Sequence, residues 1–114
     1  MAYPAGHIET FVLTVGTTPV NVVTGTTSAP TTPEEFREHK GVLLSFQNQH
    51  ATQTVKVGGA NVSSLGGIQI ANNFGAPFQV APGNGSFSPL NAAEWWVVAS
   101  GASTTVVVQL IHSI

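Results

Sequence analysis

Alternation of apolar and polar residues marks the beginning and the end of the chain as β-strands. From residue 8 to residue 15 apolar side chains recur at every second position, which is typical of a strand with one buried face. The residues on the predicted buried face are Phe11, Leu13 and Val15. The stretch 104–111 alternates in the same way, with Val106, Val108 and Leu110 on the buried side. Both stretches therefore predict half-buried strands of eight residues.

Shorter strands are predicted between these two, separated by segments rich in Gly, Pro, Asn and Thr. Their ranges are 20–23, 41–48, 54–57, 68–70, one or two between 71 and 88, and 94–100. The segment 16–19 has the composition of a turn, so the first two strands are expected to form a hairpin. Seven to nine short strands of this kind predict an all-β fold, an antiparallel β-sandwich or jelly roll.

One short helix is predicted within this β pattern, from about Pro33 to Lys40. Thr32 is a suitable N-cap, Glu35 completes a capping box with it, and Gly41 ends the segment. Five of the eight charged residues of the chain lie in this stretch. The sequence therefore predicts a nearly uncharged β-domain with a solvated helix inserted into it.

The 114 residues fit a single domain. Residues 8–111 are expected to form the β-sandwich, with residues 1–7 as an N-terminal arm and residues 112–114 as a C-terminal tail. Both end segments lie outside the alternating pattern, so we expect them to contact a neighbouring subunit or a larger shell.

The charge content restricts the possible partners. Only 7% of the residues are charged while 42% are hydrophobic, and a surface so poor in charge has weak defence against association. The net charge is −2 and the only basic side chains are Arg37, Lys40 and Lys56, which disfavours binding to nucleic acid or to an anionic membrane. The first residues lack the pattern of a secretion signal, so synthesis in the cytoplasm is expected.

Residues that could carry chemistry are few and scattered. The chain contains no Cys and no Asp, and its histidines, His7, His39, His50 and His112, are not spaced as metal ligands. A hydrolase with two carboxylates would require Glu9 and Glu94 to meet, and no phosphate loop or nucleophile elbow is present. The sequence thus predicts no enzymatic activity, no cofactor and no metal.

Two adjacent tryptophans are the main interaction signal, because neighbouring residues of a strand point to opposite faces. Trp95 is predicted to lie in the core together with Val97 and Ala99. The residues predicted to point outward and to form a patch for protein contact are Trp96, Val98, Val107 and Leu43. Two other interpretations are that the helix or a loop covers this face, or that Trp96 stacks on a sugar ring.

Five short motifs give the chain a resemblance to a known group of proteins. They are Leu44-Ser45-Phe46-Gln47-Asn48, Val55-Lys56-Val57-Gly58-Gly59, Gly67-Ile68-Gln69-Ile70, Ala81-Pro82-Gly83 and Trp96-Val97-Val98-Ala99-Ser100-Gly101. With these motifs, spread over residues 41–111, the chain resembles small bacteriophage virion proteins. The resemblance implies a β-sandwich decoration, cement or tail-associated subunit, often trimeric and without enzymatic activity. The inserted helix and the doubled tryptophan depart from that pattern.

The sequence therefore predicts a non-enzymatic structural protein of a bacteriophage virion, most simply a capsid decoration or cement subunit. Its expected partners are further copies of itself, as a homotrimer, and the major capsid protein or another virion protein. Tyr3 and Pro4 in the N-terminal arm are expected to join the interface. The alternative is a carbohydrate- or receptor-binding module of a phage tail, in which Trp96 or Tyr3 stacks on the glycan.

Overall fold

The computed structural model describes residues 7–32, 39–63, 65–81 and 90–112. Within these ranges the chain forms β-strands and one short 3-10 helix, Ala92–Glu94. The strands are β1 (Ile8–Val15), β2 (Val20–Asn21), β3 (Lys40–Gly41), β4 (Leu43–Asn48), β5 (Val55–Gly58), β6 (Ile68–Ile70), β7 (Phe78–Val80), β8 (Leu90–Asn91), β9 (Trp96–Ala99) and β10 (Thr104–Ile111). The predicted bounds of the first and last strands are confirmed.

The strands form two four-stranded antiparallel sheets. Sheet A has the order β1-β10-β4-β7 and sheet B has the order β2-β9-β5-β6, while β3 and β8 form a separate two-stranded pair. The chain crosses between the two sheets in passing from β1 to β2, from β4 to β5, from β6 to β7 and from β9 to β10. The predicted all-β class is confirmed, and two sheets packed in this way are consistent with a β-sandwich.

A single apolar core lies between the two sheets. Sheet A contributes Leu13, Val15, Leu44, Phe46, Val106, Val108 and Leu110, and sheet B contributes Val20, Val55, Val57, Ile70, Val97 and Ala99. Phe46 is fully buried, with its ring centroid 6.2 Å from that of Phe78 and 5.6 Å from that of Trp95. The predicted inward faces of β1 and β10 are therefore confirmed.

Two buried asparagines organise the turns at the ends of strands. The side-chain amide of Asn21 donates to the Ala93 carbonyl oxygen at 2.8 Å. The amide of Asn48 donates to the Gln53 carbonyl oxygen at 2.8 Å, and its Oδ1 accepts from the His50 N–H at 3.0 Å. Buried polar groups are costly unless they are paired, so these bonds fix the loops relative to the core.

The predicted hairpin between the first two strands is wrong. β1 pairs with β10 and β2 pairs with β9, so the turn after Val15 carries the chain across the sandwich instead of reversing it within one sheet. The strand predicted for 94–100 is also shorter, because Ala92–Glu94 forms a 3-10 turn and β9 begins at Trp96.

The predicted helix from Pro33 to Lys40 falls mainly on residues 33–38, which lie outside the described residues. Its predicted end is corrected, because Lys40 begins a strand and pairs with Asn91. Gly41, the next residue, lies so close to Ile111 that a Cβ atom here would overlap the Ile111 carbonyl oxygen. The absence of a side chain at position 41 therefore allows β3 to lie against the end of β10.

Truncation of Phe46 should reveal how strongly the core depends on its central aromatic. We expect Phe46→Ala to lower the free energy of unfolding by about 3–5 kcal/mol, since a buried phenylalanine leaves both lost contacts and a cavity. The neighbouring outward residue supplies the control, Gln47→Ala, which should change stability by less than about 0.5 kcal/mol. Urea titrations of both variants measure this difference, and similar midpoints would contradict the assigned facing of β4.

Candidate interaction surfaces

Among the described residues, none that points outward from sheet A is charged. The residues that point outward from it are Ile8, Thr10, Val12, Thr14, Leu43, Ser45, Gln47, Gln79, Thr105, Val107, Gln109 and Ile111. The strand register aligns them in rows across the sheet. One row is polar, Thr10-Gln109-Ser45-Gln79, and another is apolar, Ile8-Ile111-Leu43.

A shallow groove of about 290 Å³ crosses this face. It is lined by Ser45, Gln47, Gln49, Pro77, Val107 and Gln109. Gln49 Nε2 donates to Gln47 Oε1 at 3.2 Å, and a glutamine amide has further donor and acceptor positions. The groove therefore suits neutral polar groups, such as peptide amides or hydroxyls, better than ions.

The outer face of sheet B is partly covered by Val62. Val62 is only 5% exposed, and a Cβ atom built on Gly58 or Gly67 would lie against its Cγ2 atom. The same Cβ on Gly67 would lie 3.1 Å from Lys56 Cβ, so Val62 packs above the outward side of β5.

The predicted patch of Trp96, Val98, Val107 and Leu43 does not form one surface. Trp96 and Val98 belong to sheet B, whereas Val107 and Leu43 lie on the outer face of sheet A. Val98 points away from the main core but is only 3% exposed. It pairs with Lys56, on the face that Val62 partly covers. Sequence alternation identified the direction of these side chains but not which sheet each strand joins.

The two tryptophans are both half-buried but lie in different surroundings. Trp95 lies just before β9 and packs against the core, whereas Trp96 is in register with Asn21 and Gly58. An open hollow of about 380 Å³ lies beside the inward tryptophan. Its lining consists of Val57, Gly58, Gly59, Gly67, Ile68, Glu94 and Trp95. An aromatic ring and a carboxylate in one apolar hollow are groups that bind the apolar face and the hydroxyls of a sugar.

Glu9 is the centre of a cluster that joins three distant segments. His39 Nδ1 and His112 Nε2 each donate to Glu9 Oε1 at 2.9 Å, which sets the ring nitrogen that carries the proton in each imidazole. The ring of His7 lies 5.3 Å from that of His112, and the ring of Phe11 meets His39 edge-on at 5.6 Å. The cluster ties the start of β1 and the end of β10 to the segment that precedes β3.

This cluster was missed by the sequence reasoning, which treated the histidines as separate. Within the described residues, no group of three or more His, Cys, Asp or Glu side chains is arranged to hold a metal ion. Both bonding nitrogens point at the same Glu9 oxygen, so the arrangement is that of a hydrogen-bonded structural clasp. Glu94 instead lines the hollow beside Trp95, so the two carboxylates contact different residues.

Tyr3 and Pro4 lie outside the described residues. Comparison with protein-family models, with curated proteins and with solved structures found no match for the chain. None of the helical segments in the described ranges has the length and apolarity required to cross a membrane.

Removal of the Glu9 carboxylate should loosen the clasp. We expect Glu9→Ala to lower the free energy of unfolding by about 1.5–3 kcal/mol, because two hydrogen bonds to a charged group are lost and two mostly buried imidazoles lose their acceptor. The matched control is Glu94→Ala, at an exposed carboxylate, for which we expect a change within about 0.5 kcal/mol. Denaturant titration compares the two, and equal effects would show that the clasp adds nothing to stability.

Proposed function

We propose that the chain is a non-enzymatic structural protein of a bacteriophage virion, a capsid decoration or cement subunit that acts as a homo-oligomer. The observation that carries this proposal is the uncharged outer face of sheet A, which combines apolar side chains with glutamine, serine and threonine. Surfaces depleted of charge and able to form many neutral hydrogen bonds are suited to permanent protein contacts.

The strand order gives separate support. When the eight strands of the two large sheets are numbered along the chain, the sheets read 1-8-3-6 and 2-7-4-5. We propose from this order that the fold is an eight-stranded jelly roll, an architecture found in viral capsid proteins and in lectins. A fold alone leaves both of those functions open.

In the proposed arrangement the outer face of sheet A contacts the particle. Val107 and Leu43 lie on this face, so two of the residues expected from the sequence keep their interface role. The amide-lined groove beside Val107 would accept backbone or side-chain amides of the major capsid protein or of another virion protein. Location in the virion and assembly with further copies belong to the same proposal.

The proposed particle contact can be tested with one substitution at the centre of the outer face. Val107→Lys places a charge in the groove, so we expect binding to purified particles to fall at least tenfold while the fold is retained. Lys56→Ala, on the other sheet, is the control and should bind as the parent does. Pelleting with particles that lack the protein, followed by low-resolution imaging, measures occupancy. Failure of the parent chain to bind such particles would overturn the proposal.

The second candidate is a carbohydrate-binding module of a phage tail. The hollow that contains Trp95 and Glu94 favours it, in place of the Trp96 or Tyr3 platform expected from the sequence. A glycan screen tests this function, with Glu94→Ala as the variant because the exposed carboxylate can be removed without opening the core. Binding that Glu94→Ala abolishes would favour the module over the shell subunit.

A further inference from the structure

Strand β1 is the edge of sheet A, and within the described residues no strand pairs with its outer side. The edge strands of the two large sheets are β1, β7, β2 and β6, and β1 has eight residues whereas the others have two or three. Long edges are normally protected by lysine, proline, a bulge or a covering segment. The sequence of β1 contains no Lys, Arg, Pro or Gly. Its one charged side chain, Glu9, accepts hydrogen bonds from two histidines.

The bonding pattern of β10 shows which backbone groups of β1 face outward. Thr105 accepts a hydrogen bond from the Gln49 N–H at 3.0 Å, so its carbonyl points away from β1. At the other end, the N–H of His112 donates to His7 at 2.9 Å, so this pair is hydrogen-bonded. In an antiparallel ladder, hydrogen-bonded pairs alternate with pairs that are not hydrogen-bonded. Because His7 belongs to a hydrogen-bonded pair, the odd-numbered residues of β1 form hydrogen bonds with β10.

The even-numbered residues therefore direct their N–H and C=O groups to the free edge. These residues are Ile8, Thr10, Val12 and Thr14. Their side chains are also exposed, with Val12 at 69% and Ile8 at 53%. Within the described part of the chain, this edge thus offers unpaired backbone groups beside uncharged side chains, which is the arrangement that accepts another strand.

We propose that β1 pairs antiparallel with β1 of a second copy, about a twofold axis at Val12. In this register Val12 faces Val12, and Thr10 faces Thr14 on each side of the axis. These three pairs are all hydrogen-bonded pairs, and with two bonds each they give about six bonds between the copies. Facing threonines stabilise such a pair, and Glu9 faces Val15, so no like charges meet.

The chain supplies a self-complementary partner for this edge, which is why a second copy is the expected occupant. A register centred on Phe11 would place Glu9 opposite Leu13 and would leave no threonine facing another threonine. Glu9 faces an apolar side chain in either register, and only the Val12 register pairs threonine with threonine. An isologous contact of this kind closes on itself as a dimer, in place of the trimer that the resemblance implies. The inference rests on the proposed function, since it names the contact by which the subunit assembles with itself.

Single cysteines test the register, because the natural chain contains none. Facing residues of a hydrogen-bonded pair have Cα atoms about 5.5 Å apart, within the range of a disulfide. We expect Val12→Cys to form a covalent dimer under mild oxidation. Thr10→Cys and Thr14→Cys should each cross-link poorly alone but efficiently when mixed. Val107→Cys, on the central strand of the same sheet, is the control and should stay uncross-linked.

A proline substitution tests the backbone bonds themselves. The N–H of Val12 faces the free edge, so Val12→Pro removes no hydrogen bond of the monomer, and proline is tolerated at such edge positions. We expect sedimentation at micromolar concentration to give a dimer for the parent and a monomer for Val12→Pro, with the same circular dichroism spectrum. If Val12→Pro unfolds, the cysteine variants decide.

Three results would overturn the inference: a monomeric or trimeric parent, no covalent dimer from Val12→Cys, or a folded Val12→Pro variant that remains dimeric. The test is separate from that of the proposed function. A parent that binds particles but fails these assays would retain its function and lose this contact. A parent that cross-links through Val12→Cys but ignores particles would keep the contact and lose the function.

Discussion

Strand β10 is the element on which sheet A depends. It lies between β1 and β4 and pairs with residues from both of them along its length. Its alternate side chains from Val106 to Leu110 are fully buried between the sheets. Because β1 receives its backbone partners from β10, the first strand can be held only after the last strand is in place. Contacts between residues about 100 positions apart close slowly, so we expect this sheet to form late in folding.

Local alternation was sufficient to predict the strands but not their partners. The bounds of β1 and β10 were predictable because each strand has one buried face. Apolar and polar residues then alternate with a period of two along the sequence. The choice of sheet is different, since a turn such as 16–19 can reverse a strand within one sheet or carry it to the other. The predicted hairpin failed for this reason, and the predicted patch failed with it.

The polar features of the structure were even less visible in the sequence. The register of β1 with β10 places Glu9 beside His112, which is 103 residues away, and His39 approaches from a third segment. No spacing rule connects such residues. Asn21 and Asn48 are buried, although asparagine is usually exposed, because turn backbone groups surround them. Phe74 adopts a positive φ of 58°, which sequence propensity does not indicate for a bulky side chain.

The position of the two ends of the sandwich has a mechanical consequence. The backbone N–H of His112 donates to the His7 carbonyl oxygen at 2.9 Å, so the two ends of the sandwich lie side by side. Segments attached to them therefore start from the same corner of the domain. A force applied between those segments would load the β1–β10 bonds one pair at a time, beginning beside the Glu9 clasp and moving toward Val15. Such a ladder opens like a zipper and resists far less than one sheared along its whole length. Tension between the two ends would therefore release β1 first.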